Sequence, residues 1–208
     1  PGTLPGSARE AVAFRRTVLG AVTHTGASAT EARLREALAG GKVVHVASHG
    51  VMNLRNPMFS RIELARSTGG AADDGRLEVH ELLDLRIHAP LVFLSGCETG
   101  VGAAWSTQFA RGEDYATLAQ AFLYAGARSV MATLWRIGDE GAAAFAERFY
   151  AHLPHEAPAE ALAAAQRELL KSSRYGSPYY WAAYQVSGDG IGVPGLHSAD
   201  VVSVQQKE

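Results

Sequence analysis

The stretch PLVFLSGCETG, residues 90–100, is an apolar run followed by glycine and by Cys97, the only cysteine in the 208 residues. A short apolar run bounded by turn residues is typical of a buried strand. VVHVA (residues 43–47) is a second such run, and RSVMATLW (128–135) is a third. Helical patterns lie between these runs. Strands that alternate with helices predict an α/β fold with a largely parallel sheet and right-handed crossovers.

Several predicted helices have recognisable ends. Ser28 and Glu31 have capping-box spacing, and they predict a helix that ends at Gly40 and Gly41. Asp139 can cap the later helix EGAAAFAERFYAHL, because a carboxylate at that position accepts from free backbone N–H groups. The sequence thus predicts helices on both sides of the sheet strands.

The extent of the domain follows from composition. Residues 51–80 are rich in turn signals and predict a long irregular segment, with a strand in MFSRIEL and a short helix in EVHELLDL. The last strand is expected in WAAYQVSG, residues 181–188. Because the composition then becomes tail-like, we predict one domain over residues 1–190 and a C-terminal tail over residues 191–208.

Charge and cysteine content exclude several classes of function. The 19 basic and 21 acidic residues give a formal charge of −2, so no nucleic-acid partner is expected. A single cysteine excludes a disulfide framework and a thiol-rich zinc site, and the histidines lack metal-ligand spacing. We therefore expect no metal and no cofactor. A lone thiol favours a reducing, cytoplasmic location, and no apolar stretch is long enough to predict a membrane span.

His49 and Cys97 are the candidate reactive residues. His49 lies just past the carboxyl end of VVHVA, and Cys97 just past that of LVFL. If the two strands are neighbours, both side chains lie at one sheet edge, where ligands bind in open α/β sheets. A cysteine nucleophile needs such a proton-transfer partner. Gly50 and Gly96 flank them, and the N–H groups of Gly50 and Cys97 could stabilise an oxyanion.

Simpler interpretations exist for each residue. A lone cysteine after an apolar run is often an inert core residue, and a histidine at a strand end is often hydrogen-bonded for structure. His45 alternates with apolar residues and is interpreted as structural. Trp135 and Trp181 could form aromatic pocket walls, but they also fit core positions at strand edges.

The linked motifs HVASHG, NPMFSRIEL, DGRLEVHELLDL, PLVFLSGCETGVG, GEDYATLAQAFLYAGARSVMATLWRIGDE and SPYYWAAYQVSGD resemble the CHAT domain, of the caspase-like and separase-like cysteine peptidases. The resemblance runs from about residue 4 to residue 190. It implies a caspase-like three-layer α/β/α sandwich with a His49 and Cys97 dyad, and Gly50 at the oxyanion-hole glycine. Gly96 stands where alanine is frequent in the family. CHAT domains usually have a further N-terminal portion, which we expect this chain to lack.

The resemblance also suggests where specificity lies. The stretch similar to LWRIGDE in separases contributes an acidic residue to a pocket for a basic P1 side chain, which makes Asp139 a candidate substrate-binding residue. Glu98 and Asp114 are weaker candidates for the same role. The alternative for Asp139 is the helix cap named above.

The expected function is therefore hydrolysis of a peptide bond in a protein substrate by the His49 and Cys97 dyad. Family members often stand beside repeat or sensor modules, and some work in bacterial defence, including cleavage of gasdermin-like proteins. Two alternatives stay open: an inactive caspase-like interaction module, and a nucleotide-binding α/β domain. The sequence has neither of the phosphate-binding loops, GxGxxG and GxxxxGK[ST], that the second alternative would need.

Overall fold

The structure of the protein is a computed structural model that describes residues 21–53, 55–67, 73–95, 113–135, 137–191 and 201–205, without the side chains of residues 113–117. The strands in the described part of the chain are β1 (Val22–Thr25), β2 (Val43–Ala47), β3 (Gly50–Val51), β4 (Arg61–Glu63), β5 (Arg76–Glu78), β6 (Val92–Ser95), β7 (Ser129–Thr133), β8 (Tyr184–Gly188) and β9 (Val201–Gln205). The α-helices are α1 (Glu31–Ala39), α2 (Val79–Leu83), α3 (Glu113–Tyr124), α4 (Asp139–His152), α5 (Pro158–Leu170) and α6 (Pro178–Trp181).

Six strands form the central sheet in the order β1-β9-β2-β6-β7-β8. All neighbours in this sheet are parallel except β7 and β8, which are antiparallel. The predicted α/β fold with a mostly parallel sheet is thus confirmed. The predicted strands in residues 43–47, 90–96 and 128–135 correspond to β2, β6 and β7.

Helices cover both faces of this sheet, so the architecture is a three-layer α/β/α sandwich. Successive residues of a strand point to opposite faces, and the two apolar clusters follow that alternation. Val44 and Val46 pack with helices α1, α2 and α3 in one cluster. Val43 and Phe93 pack with α4 and α5 in the other. Because β2 is buried on both faces, its sequence is an apolar run rather than an alternating one.

Residues 51–80 contain a small sheet where the sequence predicted irregular chain. The antiparallel strands β3, β4 and β5 form it, and helix α2 follows directly. The strand predicted in MFSRIEL and the helix predicted in EVHELLDL are present as β4 and α2. Strands of two or three residues are too short to show a periodicity, so the sequence pattern alone does not reveal this sheet.

Two details of the predicted elements are wrong. The cap of helix α1 is Thr30, whose hydroxyl accepts from the Arg33 N–H, whereas Ser28 exchanges hydrogen bonds with Thr25 in the preceding 3₁₀ turn. Trp181 belongs to helix α6 and not to the last strand, which begins at Tyr184. Ser177 and Pro178 explain this helix, because a serine cap followed by proline favours a helix start.

The predicted C-terminal tail is corrected for residues 201–205. This segment is strand β9, and it lies between β1 and β2 with all five residues buried. Its position depends on backbone N–H and C=O groups that two strands distant in the sequence offer for pairing. The composition of the segment itself does not reveal these groups. The boundary that we placed at residue 190 stays a prediction.

Candidate functional site

His49 is positioned by two sheets at once. Strand β2 of the central sheet ends at Ala47, and β3 of the small sheet begins at Gly50. His49 itself is half-buried. Its backbone carbonyl accepts the Glu63 N–H at 2.8 Å. The histidine therefore lies in a short, doubly anchored connection at the carboxyl edge of the parallel sheet.

The Ser48 hydroxyl adds a second link between this connection and β4. Ser48 is fully buried, and its Oγ donates a hydrogen bond to the Glu63 carbonyl oxygen. Glu63 thus contacts both residues of the short connection, through its N–H and through its carbonyl. Sequence reasoning missed this role of Ser48. The signal was present as a small hydroxyl residue directly before the candidate histidine, at the junction between two predicted elements.

Gly50 has a backbone geometry suited to an anion. Gly50 and Val51 pair antiparallel with Ile62 and Arg61. The hydrogen bond from the Glu63 N–H to the His49 carbonyl makes the adjacent Gly50 and Ile62 a non-hydrogen-bonded pair. The Gly50 N–H consequently points away from β4 and takes no part in that ladder. A backbone donor that this ladder leaves unused is what the oxyanion role predicted for Gly50 would need.

The other half of the predicted dyad follows β6. In the central sheet Ala47 is the register partner of Ser95. His49 is two residues beyond Ala47, and Cys97 is two residues beyond Ser95. The structure therefore shows that the strands leading to both residues are parallel neighbours in matching register, as the sequence prediction required. Cys97 itself and Glu98 lie outside the described residues.

Asp139 lies at the same edge, after β7. It is the first residue of helix α4 and is half-buried, whereas the cap position is Gly138. The expected capping role of Asp139 is therefore wrong: in the first turn its carboxylate can instead stabilise the helix through the helix dipole. Asp114 is the second residue of helix α3, and its side chain is outside the described part.

The tryptophans pack against the core, as their alternative interpretation predicted. Trp135 and Trp181 both contact the apolar cluster under helices α4 and α5. The Trp135 indole N–H donates to the Tyr179 carbonyl at 2.9 Å, and that of Trp181 donates to the Gly176 carbonyl at 3.0 Å. Backbone acceptors thus hold both rings in place. These contacts assign the tryptophans to structure.

His45 also has structural contacts. It is fully buried, and its Nδ1 lies 2.8 Å from the hydroxyl of the buried Tyr150. Its ring meets that of Phe93 edge-on at 4.8 Å. His45 therefore connects β2 with β6 and helix α4, four positions before His49. It stiffens the strand that leads to the candidate site.

A buried carboxylate links two helices on the other face of the sheet. Glu31 is buried, and burial is the main cause that raises the pKa of its carboxyl group. Arg35 lies between Glu31 and Glu81, with its Nη2 2.5 Å from the first carboxylate and 2.9 Å from the second. This group joins helix α1 to helix α2 and serves the fold.

Within the described part of the chain, no group of three or more histidine, aspartate or glutamate residues is arranged to hold a metal ion. Over the same ranges, none of the helices combines the length and the apolar character that a bilayer span demands.

Comparison with known proteins agrees with the fold just described. A family model described as CHAT domain matches residues 1–189. The chain is also similar to tetratricopeptide repeat protein 28 of Mus musculus, with 27% identity over 221 residues. That similarity covers 91% of this chain and 9% of the mouse protein, so the chain spans a small part of that relative. The match over nearly all of the chain shows that it belongs to the CHAT domain family, a caspase-like cysteine peptidase family.

Proposed function

We propose that the protein is a cysteine endopeptidase that hydrolyses a peptide bond in a protein substrate through Cys97 and His49. The observation that supports this most is the register of Ala47 with Ser95, which starts both reactive residues from one level of adjacent parallel strands. Family membership supports the same chemistry. His49 is only half-buried, which is compatible with access to a substrate.

The reaction has two stages. The Cys97 thiol gives its proton to His49, and its sulfur attacks the scissile carbonyl carbon, forming a C–S bond. The carbon–nitrogen bond then breaks, and His49 gives the proton to the leaving amine. Water next attacks the thioester, loses a proton to His49 and releases the carboxylic acid, while the thiol regains its proton. The N–H groups of Gly50 and Cys97 stabilise the oxyanion in both stages.

Specificity for a basic P1 side chain is the second part of the proposal. Asp139 supports it, because this half-buried residue follows β7 at the same carboxyl edge of the sheet as His49. A carboxylate in such a place can form a charge-assisted pair with an arginine guanidinium. Glu98 and Asp114 are kept as further candidates for this pocket.

The surroundings of the peptidase are proposed from its relative. The similar mouse protein is named for tetratricopeptide repeats, and the chain covers only 9% of it. We therefore propose that this domain works beside repeat or sensor modules, in the same chain or in a partner. A role in bacterial defence and a gasdermin-like substrate are proposals that rest on the family resemblance described under Sequence analysis. The cytoplasmic location is a proposal that rests on the single cysteine.

The decisive experiment labels the protein with electrophilic peptide probes that carry arginine, leucine or aspartate at P1, read by mass spectrometry. We expect selective labelling of Cys97 that falls about 100-fold or more in His49→Ala, since general acid–base catalysis contributes about that much. His24→Ala is the matched control, because His24 is a histidine of the same sheet on β1. Labelling that is equal in His49→Ala and the wild type would refute the dyad and favour an inactive interaction module.

A further inference from the structure

Strand β1 belongs to the central sheet only through β9. The sheet order is β1-β9-β2, and β9 pairs in parallel with both neighbours. Neighbouring strands lie about 4.8 Å apart, so β1 and β2 are about 10 Å apart, too far for direct hydrogen bonds. Within the described part of the chain, β1 has no other partner in the sheet order. We call the position between β1 and β2 the slot. A strand in this slot is needed to join β1 to the sheet.

The strand that fills the slot lies outside the family match. That match ends at residue 189, whereas β9 is Val201–Gln205. Strand β1, by contrast, lies within the matched residues. The family pattern thus includes one wall of the slot and the strand β2 on its other side, but not the segment between them. The slot and its occupant are separable parts of the sequence.

The chemistry of the occupant differs between its two faces. Val202 and Val204 pack in the apolar cluster with helices α1, α2 and α3. On the opposite face the buried Gln205 Nε2 donates to the Ser203 Oγ at 2.7 Å. The slot thus accepts valines on one face, and on the other it accepts Val201 at the start of the strand, followed by Ser203 and Gln205.

Some of the hydrogen-bonding groups on the polar face have no partner among the described residues. Gln205 Oε1 and Thr23 Oγ1 are buried and have no hydrogen-bond partner there. Thr23 is the register partner of Ser203, so both atoms lie on the same face of adjacent strands. Unpaired buried polar atoms weaken the attachment of a strand. They make β9 less firmly held than its central position alone would imply.

The chain between β8 and β9 is longer than the distance between these two strands requires. Strand β8 is antiparallel to β7 and ends at Gly188, level with Ser129 at the start of β7. Strand β9 begins level with Val43, at the start of β2. Four strand spacings, about 19 Å, separate β8 from β9. Twelve residues, 189–200, separate the two strands in the sequence, and a chain of twelve residues can span at most about 40 Å, which exceeds this distance.

We propose that the slot between β1 and β2 is an exchangeable strand-acceptor site, filled in cis by β9 and open to an extended peptide of the same chemistry in trans. The partner is a strand without proline that carries β-branched residues on one face, and on the other a β-branched residue followed by hydroxyl and amide residues. It binds parallel to β2 through main-chain hydrogen bonds, as in β-strand addition. Because β9 ends level with Ala47, two residues before His49, the occupant also supports the strand that leads to the candidate dyad. Only this last consequence rests on the proposed function.

The first test is hydrogen exchange on the intact 208-residue protein. We expect the amides of β1 and β9 to exchange together, at least tenfold faster than those of β6 and β7, because they open as one unit. Protection of β9 equal to that of β6 and β7 would overturn the proposal. Neither outcome depends on peptidase activity, so this test separates the acceptor site from the proposed function.

The second test empties the slot with Val204→Asp and offers a labelled peptide of residues 199–207, ADVVSVQQK. The matched control variant is Val22→Asp, since Val22 on the adjacent β1 is 45% exposed. We expect Val204→Asp to lose protection about 100-fold in β1 but not in β6 or β7, and the peptide to bind saturably and restore it. The control peptide has aspartate in place of Val202 and Val204, and it should not bind.

Two outcomes of the second test would overturn the proposal. One is a Val204→Asp variant that keeps β1 protected, since β1 would then join the sheet without β9. The other is an emptied slot that the wild-type peptide fails to fill. If Val204→Asp loses protection throughout the chain, the variant has unfolded. The proposal then stands or falls on the first test, which compares exchange in β9 with exchange in β6 and β7 of the wild-type protein.

Discussion

Ala47 and Ser95 are register partners on the parallel strands β2 and β6. Ala47 and Ser95 are 48 positions apart in the sequence, and so are His49 and Cys97. His49 lies two positions after Ala47, and Cys97 lies two positions after Ser95. Because parallel neighbours run in step, the ends of β2 and β6 lie at one level of the carboxyl edge of the sheet. This relationship is the one that the proposed dyad requires.

The Ser48 hydroxyl should matter for the position of His49. In Ser48→Ala the Glu63 carbonyl loses a buried hydrogen bond, so we expect the free energy of unfolding to fall by about 1 to 2 kcal/mol. Labelling of Cys97 by a peptide electrophile should also slow by about tenfold to a hundredfold, because the His49 connection loses an anchor. Urea denaturation and labelling rates measure the two effects.

Ser60→Ala is the control for that prediction. Ser60 is also a buried serine beside β4, and its Oγ accepts the Asn53 N–H at 3.0 Å. It should lose similar stability without slowing the labelling of Cys97. Equal slowing in both variants would mean that Ser48 acts through general stability and not through His49.

Asp139 should affect substrate choice and not overall reactivity. In Asp139→Asn we expect labelling by the arginine probe to fall about tenfold to a hundredfold relative to the leucine probe, since a hydrogen-bonded charge pair is lost. Glu140→Gln is the matched control, because Glu140 lies in the same helical turn and pairs with Arg174. A change that is the same for both probes would assign Asp139 to helix stability alone.

His152 should make stability depend on pH. The hydrogen bond from its Nε2 to Glu168 Oε1, at 2.8 Å, is the main cause that raises the pKa of His152. A raised pKa in the folded state stabilises the protein below the unfolded value of about 6.5, and this stability is lost as pH rises through the folded pKa. We expect His152→Gln to cost about 0.5 kcal/mol at pH 5.5 and little at pH 8.5.

The partner variant checks the cause of that pH dependence. Glu168→Gln removes the same hydrogen-bonded charge from the other side, and it also removes the 3.7 Å ion pair with Arg148. Urea denaturation should therefore show a larger loss at pH 5.5 than at pH 8.5. The double variant should lose no more than Glu168→Gln alone at pH 5.5. Additive losses would show that the two side chains stabilise the protein independently.

Gly126 should tolerate no side chain at the junction between helix α3 and β7. Its φ is +114°, and an added Cβ would lie 2.5 Å from the Ile87 carbonyl oxygen. We expect Gly126→Ala to lower the free energy of unfolding by at least about 2 kcal/mol, through backbone strain and this clash. Gly138→Ala, where nothing lies within 4 Å of the added carbon, should cost about 1 kcal/mol or less. Similar losses would contradict the close approach to Ile87.

The local sequence pattern was enough to predict a strand where the segment is buried on both faces of the sheet. β2, β6 and β7 are runs of apolar residues, and each lies where the sequence predicted a strand. Helix α4 likewise lies where the sequence predicted a helix, and its apolar face packs in the core. The cap of α1 was predicted wrongly, because Ser28 and Thr30 both offer a hydroxyl and the choice depends on the backbone geometry around them.

The sequence by itself determined the α/β alternation, the placement of His49 after one strand and of Cys97 after another, and the family. Only the tertiary structure decided that these strands are neighbours in matching register, that Ser48 and Glu63 anchor the histidine connection, and that Val201–Gln205 enters the sheet centre. The physical reason is the range of the interactions. Periodicity reports which face of a segment is buried, but strand pairing is chosen by backbone groups that lie far away along the chain.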